Sequence, residues 1–140
     1  MKNMSIPAIG MIALLLFVSS ACNTSSVKGN EKSDSLAYQV VKVGEFEKLM
    51  ADPSNVLIDF RTPEEVAEGK IRTDAQAIDY LDDAVFQAGI AQLDKNKTYL
   101  VYCRSGRRSG EASQIMVQQG FKKVYNLYGG ITAWNAEHNK

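Results

Sequence analysis

Cysteine and histidine are nearly missing from this chain. Its 140 residues include two cysteines, Cys22 and Cys103, and one histidine, His138. With no Cys-x-x-Cys pair and no His cluster, a metal centre has no ligand set, and neither a metal nor any other cofactor is expected. No internal dithiol can cycle, so a group acquired by a lone thiol must leave on an external acceptor. His138 lies in what reads as a terminal tail, and a Cys–His dyad is not expected. An excess of charge is missing too: 16 Lys plus Arg balance 16 Asp plus Glu. No global field points to nucleic acid or to an acidic membrane surface, and no nucleic-acid partner is expected. The length suits one ordinary domain.

What is present centres on Tyr99 to Gly110. An apolar run of strand type, Thr98 to Tyr102, stops at Cys103; a loop with Gly106 and three arginines follows, and Glu111 to Gln119 carries helical spacing. A cysteine is thus presented between a strand end and a helix start. The first turn of a helix offers unpaired N–H groups and the positive end of the macrodipole, both of which favour a thiolate. Arg104, Arg107 and Arg108 add positive charge close by. Gly106 lets the loop curl so that successive amides converge on an anion. Cys103 is therefore read as a nucleophile, ionised at neutral pH and open to small anions. A buried structural cysteine is the alternative, but it leaves the three arginines without a purpose.

The residues Cys103-Arg104-Ser105-Gly106-Arg107-Arg108-Ser109 resemble the active-site loop of the rhodanese (thiosulfate sulfurtransferase) family. Leu57-Ile58-Asp59-Phe60-Arg61-Thr62-Pro63-Glu64-Glu65 is similar to that family's "IDVRxxxE" segment, and Leu127-Tyr128-Gly129-Gly130-Ile131-Thr132-Ala133-Trp134 to its "L-x-GG-x-x-x-W" segment. Together these cover nearly all of residues 38–135. The resemblance implies a five-stranded α/β domain in which Asp59 and Arg61 support the loop structurally, by an ion pair or by hydrogen bonds to backbone. One departure is Gly69-Lys70-Ile71, where the family commonly has Gly-His-Ile, with a slightly longer stretch to Ala75.

Residues 1–21 read as a targeting segment: Lys2, an apolar stretch from Met11 to Val18, then the small residues Ser19, Ser20 and Ala21. That stretch is short for a mature membrane span. With Cys22 next, the junction resembles a bacterial lipobox, although Ser19 stands where the pattern prefers leucine. The resemblance implies lipidation of Cys22, a lipid anchor to the membrane and an extracytoplasmic, periplasmic location in a bacterial envelope. Cys103 would then be the one remaining thiol. Residues 22–36, polar and poor in large apolar groups, read as a flexible tether reaching about 20 Å.

Within the domain, 37–137, strands are expected at Tyr38–Val43, Val56–Ile58, Ala75–Ile78, Thr98–Tyr102 and Lys123–Leu127. Helices are expected at Gly44–Ala51, with Phe46, Leu49 and Met50 inward; from Pro63 to near Gly69, after a Thr62 capping box; and at Asp82–Leu93, with Val85, Phe86 and Ile90 inward. The helix after the loop should bury Ala112, Ile115 and Met116 and end at Gly120, and Ile131–Ala136 should form the last one. Trp134 and Phe121 are expected in the core. Alternating strands and helices imply a parallel sheet covered on both faces, with ligands at the carboxyl ends of its strands.

The family resemblance implies sulfur transfer: Cys103 takes the outer sulfur of thiosulfate or a similar small anionic donor and passes it, as a persulfide, to a thiol or cyanide. Arg104, Ser105, Gly106, Arg107 and Arg108 would bind the donor, and a monomer is expected. A cysteine phosphatase is disfavoured because Cys-x5-Arg would need arginine where Ser109 stands. A non-catalytic binding or sulfide-carrier module is the other alternative.

Overall fold

The computed structural model describes residues 38–139. The expected signal segment, the tether and Cys22 lie outside the described residues. Five strands, β1 (Gln39–Val41), β2 (Val56–Asp59), β3 (Gln76–Ala77), β4 (Thr98–Tyr102) and β5 (Lys123–Leu127), form one parallel sheet in the order β1-β5-β4-β2-β3. Four helices connect them, α1 (Val43–Met50), α2 (Pro63–Ala67), α3 (Asp83–Ala91) and α4 (Arg107–Gln118), and α5 (Gly130–His138) follows the last strand. The expected α/β architecture is the one observed.

Strand residues alternate between two cores, as the pleat requires. Tyr99, Val101, Ile58 and Val124 point to the side of α3 and α4, where Phe86, Ile90, Ala112 and Met116 meet them. Leu100, Tyr102, Leu57 and Leu127 point to the side of α1 and α5, where Val43, Phe46, Ile131 and Trp134 pack. Each large apolar side chain fully buried this way contributes about 1.5–3 kcal/mol. Phe121 is buried as expected. β4 lies at the centre of the sheet, and Cys103 follows it directly.

Several boundaries and orientations differ from expectation. β1 ends at Val41 because Val43, already buried, opens α1. β3 pairs with β2 only through Gln76 and Ala77. Val85 is half-exposed rather than inward, because a two-residue edge strand offers the first turn of α3 little to pack against. Ile115 is only partly buried. Gly120 lies one residue past the C-cap of α4, Gln119. α5 continues to His138, whose ring stacks on Trp134 at 4.0 Å and whose Nε2 lies 2.6 Å from Glu47. His138 is therefore part of a helix that pairs with α1, not of a tail.

Candidate active site

The strand pleat sets the direction of Cys103: Tyr99, Val101 and Cys103 share the α4 side of the sheet, so the thiol leaves it toward the first turn of that helix. Gly106 makes the reversal possible. Its φ of 88° is left-handed, and an added Cβ would lie 2.9 Å from the Leu127 carbonyl oxygen. α4 starts at the next residue, four before the expected start, because its buried face over the first two turns is built from the small residues Ser109, Gly110, Ala112 and Ser113 rather than from an apolar stripe.

This turn surrounds the sulfur with donors. The Gly106 amide donates to Sγ at 3.1 Å, and Ser109 Oγ lies 3.4 Å from Sγ. The loop carbonyls are drawn the other way, toward the first turn of α5. Ile131 N–H donates to the Cys103 carbonyl at 2.9 Å, and the Thr132 N–H and Oγ1 donate to the Arg104 carbonyl at 3.1 and 2.9 Å. Burial pushes the Cys103 thiol up. Hydrogen bonds from the Ser109 hydroxyl and from the amides of Ser109, Ser105 and Gly106 outweigh it and leave the thiol below its ordinary value.

Two expectations need correction here. Cys103 is fully buried, 0% exposed, and not open to small anions. Nor do all three arginines serve the sulfur. Arg107, 75% exposed, pairs with Glu111 one turn along α4. Arg104, also exposed, turns its Nε to Glu65 at 3.1 Å. Arg108 forms a bidentate pair with the same carboxylate, at 2.7 and 2.8 Å. Arg108 is also influenced by the sulfur: its basicity is raised first by Glu65, is lowered by burial, and gains a smaller contribution from Cys103.

In the sequence Glu65 is the third residue of a capping box and the last residue of the IDVRxxxE-like segment, and neither signal shows which residues it pairs with. The cap is present: Thr62 N–H donates to Glu65 Oε2 at 3.2 Å, and Glu65 N–H to Thr62 Oγ1. The same carboxylate clasps two loop arginines, which draws it from 4.5 down to about 2, chiefly through the Arg108 hydrogen bond and against the cost of burial. Behind it stand Asp59 and Arg61, both buried. Arg61 donates to the Asp59 carboxylate at 2.6–3.1 Å, to the Glu65 carbonyl at 2.8 Å and to the Gly69 carbonyl at 2.6 Å. The expected support role is thus exercised through α2: Asp59 holds Arg61, Arg61 holds the middle of α2 and the chain just past its end, and Glu65 on α2 holds the loop.

Glu65→Gln is expected to cost about 2 kcal/mol of stability, read as a lower urea midpoint. Because the folded-state pKa is depressed, the stabilisation is complete above the ordinary 4.5 and is lost as pH falls toward 2. Wild type and variant should therefore converge in acid; an equal gap at every pH would contradict the clasp.

Asn126 also escaped sequence reading, although a polar residue between Tyr125 and Leu127 on a buried strand is a usable signal. Its Nδ2 donates to the Gly106 carbonyl at 3.0 Å, and its Oδ1 accepts from Ser109 Oγ at 2.6 Å. On the outer side of the loop a polar cleft of about 450 Å³ is lined by Arg104, Glu68, Lys70, Thr132 and Asn135, among others. Lys70, standing in the departure from the family pattern, is turned inward to donate to the Ala75 carbonyl at 2.9 Å.

Together these features define a parallel α/β domain whose central strand ends on a cysteine held in an amide cradle at a helix start. The family model for the rhodanese-like domain matches residues 42–137, and the chain belongs to that family. It is 40% identical to a sulfurtransferase of Allochromatium vinosum over 86 residues, 61% of this chain and 77% of the relative. It is 35% identical to the thiosulfate sulfurtransferase GlpE of Coxiella burnetii over 103 residues, 74% of this chain and 92% of the relative. The crystal structure of a rhodanese-related protein from Thermoplasma volcanium superimposes with a TM-score of 0.62 at 25% identity, covering 71% of this chain and 93% of that one.

Proposed function

We propose that this protein is a sulfurtransferase that carries sulfane sulfur on Cys103. The observation that carries the reading is the cradle: one sulfur accepts from the Gly106 amide at a helix start, beside the Ser109 hydroxyl, and its thiol is pulled below the ordinary range. The activities named for the relatives from Allochromatium vinosum and Coxiella burnetii support the same chemistry.

In the first step the Cys103 thiolate attacks the outer sulfur of thiosulfate. The sulfur–sulfur bond of the donor breaks, sulfite leaves with the electron pair, and Cys103 becomes a persulfide stabilised by the loop amides. In the second step a thiolate acceptor, or cyanide, attacks the outer persulfide sulfur and Cys103 leaves as thiolate. Arg108, and Arg104 when it leaves Glu65, would hold the anionic donor and the departing sulfite. Because Cys103 is buried, donor entry requires residues 104–106 to move outward; Arg104 and Ser105 on that rim are exposed.

From sequence alone we further propose that Cys22 is lipidated after removal of residues 1–21 and that the domain works as a monomer, tethered on the periplasmic side of a bacterial membrane.

The test is turnover of thiosulfate, mercaptopyruvate and polysulfide with cyanide and thiol acceptors. Wild type should turn over at least one donor, and Cys103→Ser should lose at least ~10³-fold in rate, as expected when a covalent nucleophile is removed. Turnover that survives in Cys103→Ser would overturn the assignment. Failure with every donor would favour a non-catalytic carrier module, a reading to which the buried thiol lends some weight.

A further inference from the structure

Beneath Cys103 lies a hydrogen-bond arrangement with one proton too few. The Gly106 carbonyl oxygen can only accept, so the Asn126 amide group that faces it at 3.0 Å is the NH₂, and the carbonyl Oδ1 faces Ser109. Oδ1 carries no proton. The 2.6 Å contact between Ser109 and Asn126 therefore uses the single hydroxyl proton of Ser109. That proton cannot at the same moment serve Sγ, 3.4 Å from the same oxygen. While it points at Asn126, Ser109 offers the sulfur a lone pair, which suits an S–H donor and opposes a thiolate.

We propose that Ser109 and Asn126 form a one-proton hydrogen-bond switch under Cys103. In the thiol state the chain runs from S–H to Ser109 Oγ and from Ser109 O–H to Asn126 Oδ1. When the sulfur loses its proton to water, the Ser109 hydroxyl turns to Sγ, and Asn126 Oδ1 is left without a donor. Among the described residues no buried side-chain nitrogen or oxygen lacks a partner, so the thiolate state would create the first such group. Asn126 is thereby a positioning residue that restrains ionisation, acting through Ser109. The charged group that senses the sulfur is Arg108 of α4, with Glu65 of α2 behind it; both are retained in the variants below and drop out of the comparison.

The switch rests on Cys103 being the reactive thiol, but its test needs neither donor nor acceptor. A missing persulfide would leave the switch measurable, and a failed switch would leave sulfur transfer standing. The pH dependence of iodoacetamide alkylation is followed in wild type, Asn126→Leu, Ser109→Ala and the double variant. Asn126→Leu frees the Ser109 proton for Sγ, and alkylation below the midpoint should be about 5-fold faster, the difference made by the one neutral hydrogen bond to Asn126 that ionisation gives up in wild type. The Gly106 carbonyl keeps its helical donor, Gly110 N–H at 3.1 Å, in that variant. In the Ser109→Ala background the same substitution should change nothing. Slower alkylation in Asn126→Leu, or an equal effect in both backgrounds, would mean that Asn126 only braces the loop, and would overturn the switch. If Asn126→Leu does not fold, the infrared S–H stretch decides. It should lie lower in wild type, where S–H donates to Ser109, than in Ser109→Ala, and identical bands would overturn the proposal.

Discussion

Asp59→Ala is expected to destabilise the domain by about 3–5 kcal/mol, the usual cost of leaving one member of a buried ion pair alone. Arg61 is 4% exposed and Asp59 0%, and the guanidinium would keep only the Glu65 and Gly69 carbonyls as partners. Natural domains commonly have only 5–15 kcal/mol in total, so this one change removes a large share of the stability. Urea denaturation should show a much lower midpoint at an unchanged slope. The loss should exceed that of Glu65→Gln, because Asp59 anchors the arginine on which α2 depends, whereas Glu65 acts at the far end of that chain of contacts. A loss below about 1 kcal/mol would mean that the pair behaves as a solvated one.

Gly130→Ala should affect chemistry more than it affects folding. A Cβ there would fall 2.3 Å from the Cys103 carbonyl oxygen and 2.6 Å from that of Arg104, against backbone that cannot rotate away, and the φ of +56° adds strain of its own. The loop must retreat from α5, loosening the bonds from Ile131 and Thr132 that turn its carbonyls away from the sulfur. A displacement near 1 Å at a reacting centre commonly costs on the order of 10²-fold in rate. The expected result is that loss in kcat with a folded protein by circular dichroism. A folded Gly130→Ala with wild-type turnover would show that the α5 contacts do not set the cradle.

The sequence was most readable where one residue has one task. β4 and β5 follow from short apolar runs, α2 from its capping box, and Cys103 from its place between a strand and glycine-bearing helix start. It was least readable where a residue has two tasks or where a face is made of small groups. Glu65 reads as a cap because capping is local, whereas its clasp on Arg104 and Arg108 joins residues 39 and 43 positions apart. The first turn of α4 carries no apolar stripe, and so its start was placed too late. Val85 has the spacing of a core residue but overhangs the short edge strand β3. The arginines beside Cys103 suggested charge stabilisation, yet hydroxyl and amide donors do most of that work, because all three arginines pair with carboxylates. Burial of the thiol has no local signature, since it depends on how the loop meets the first turns of α4 and α5.

The most direct measurement is the intact mass of the protein after brief exposure to thiosulfate, followed by a thiol. The account predicts wild type heavier by one sulfur atom, return to the starting mass once the acceptor is added, and no gain at any stage in Cys103→Ser. An unchanged mass in wild type with every sulfane donor, or a gain that persists in Cys103→Ser, would contradict it.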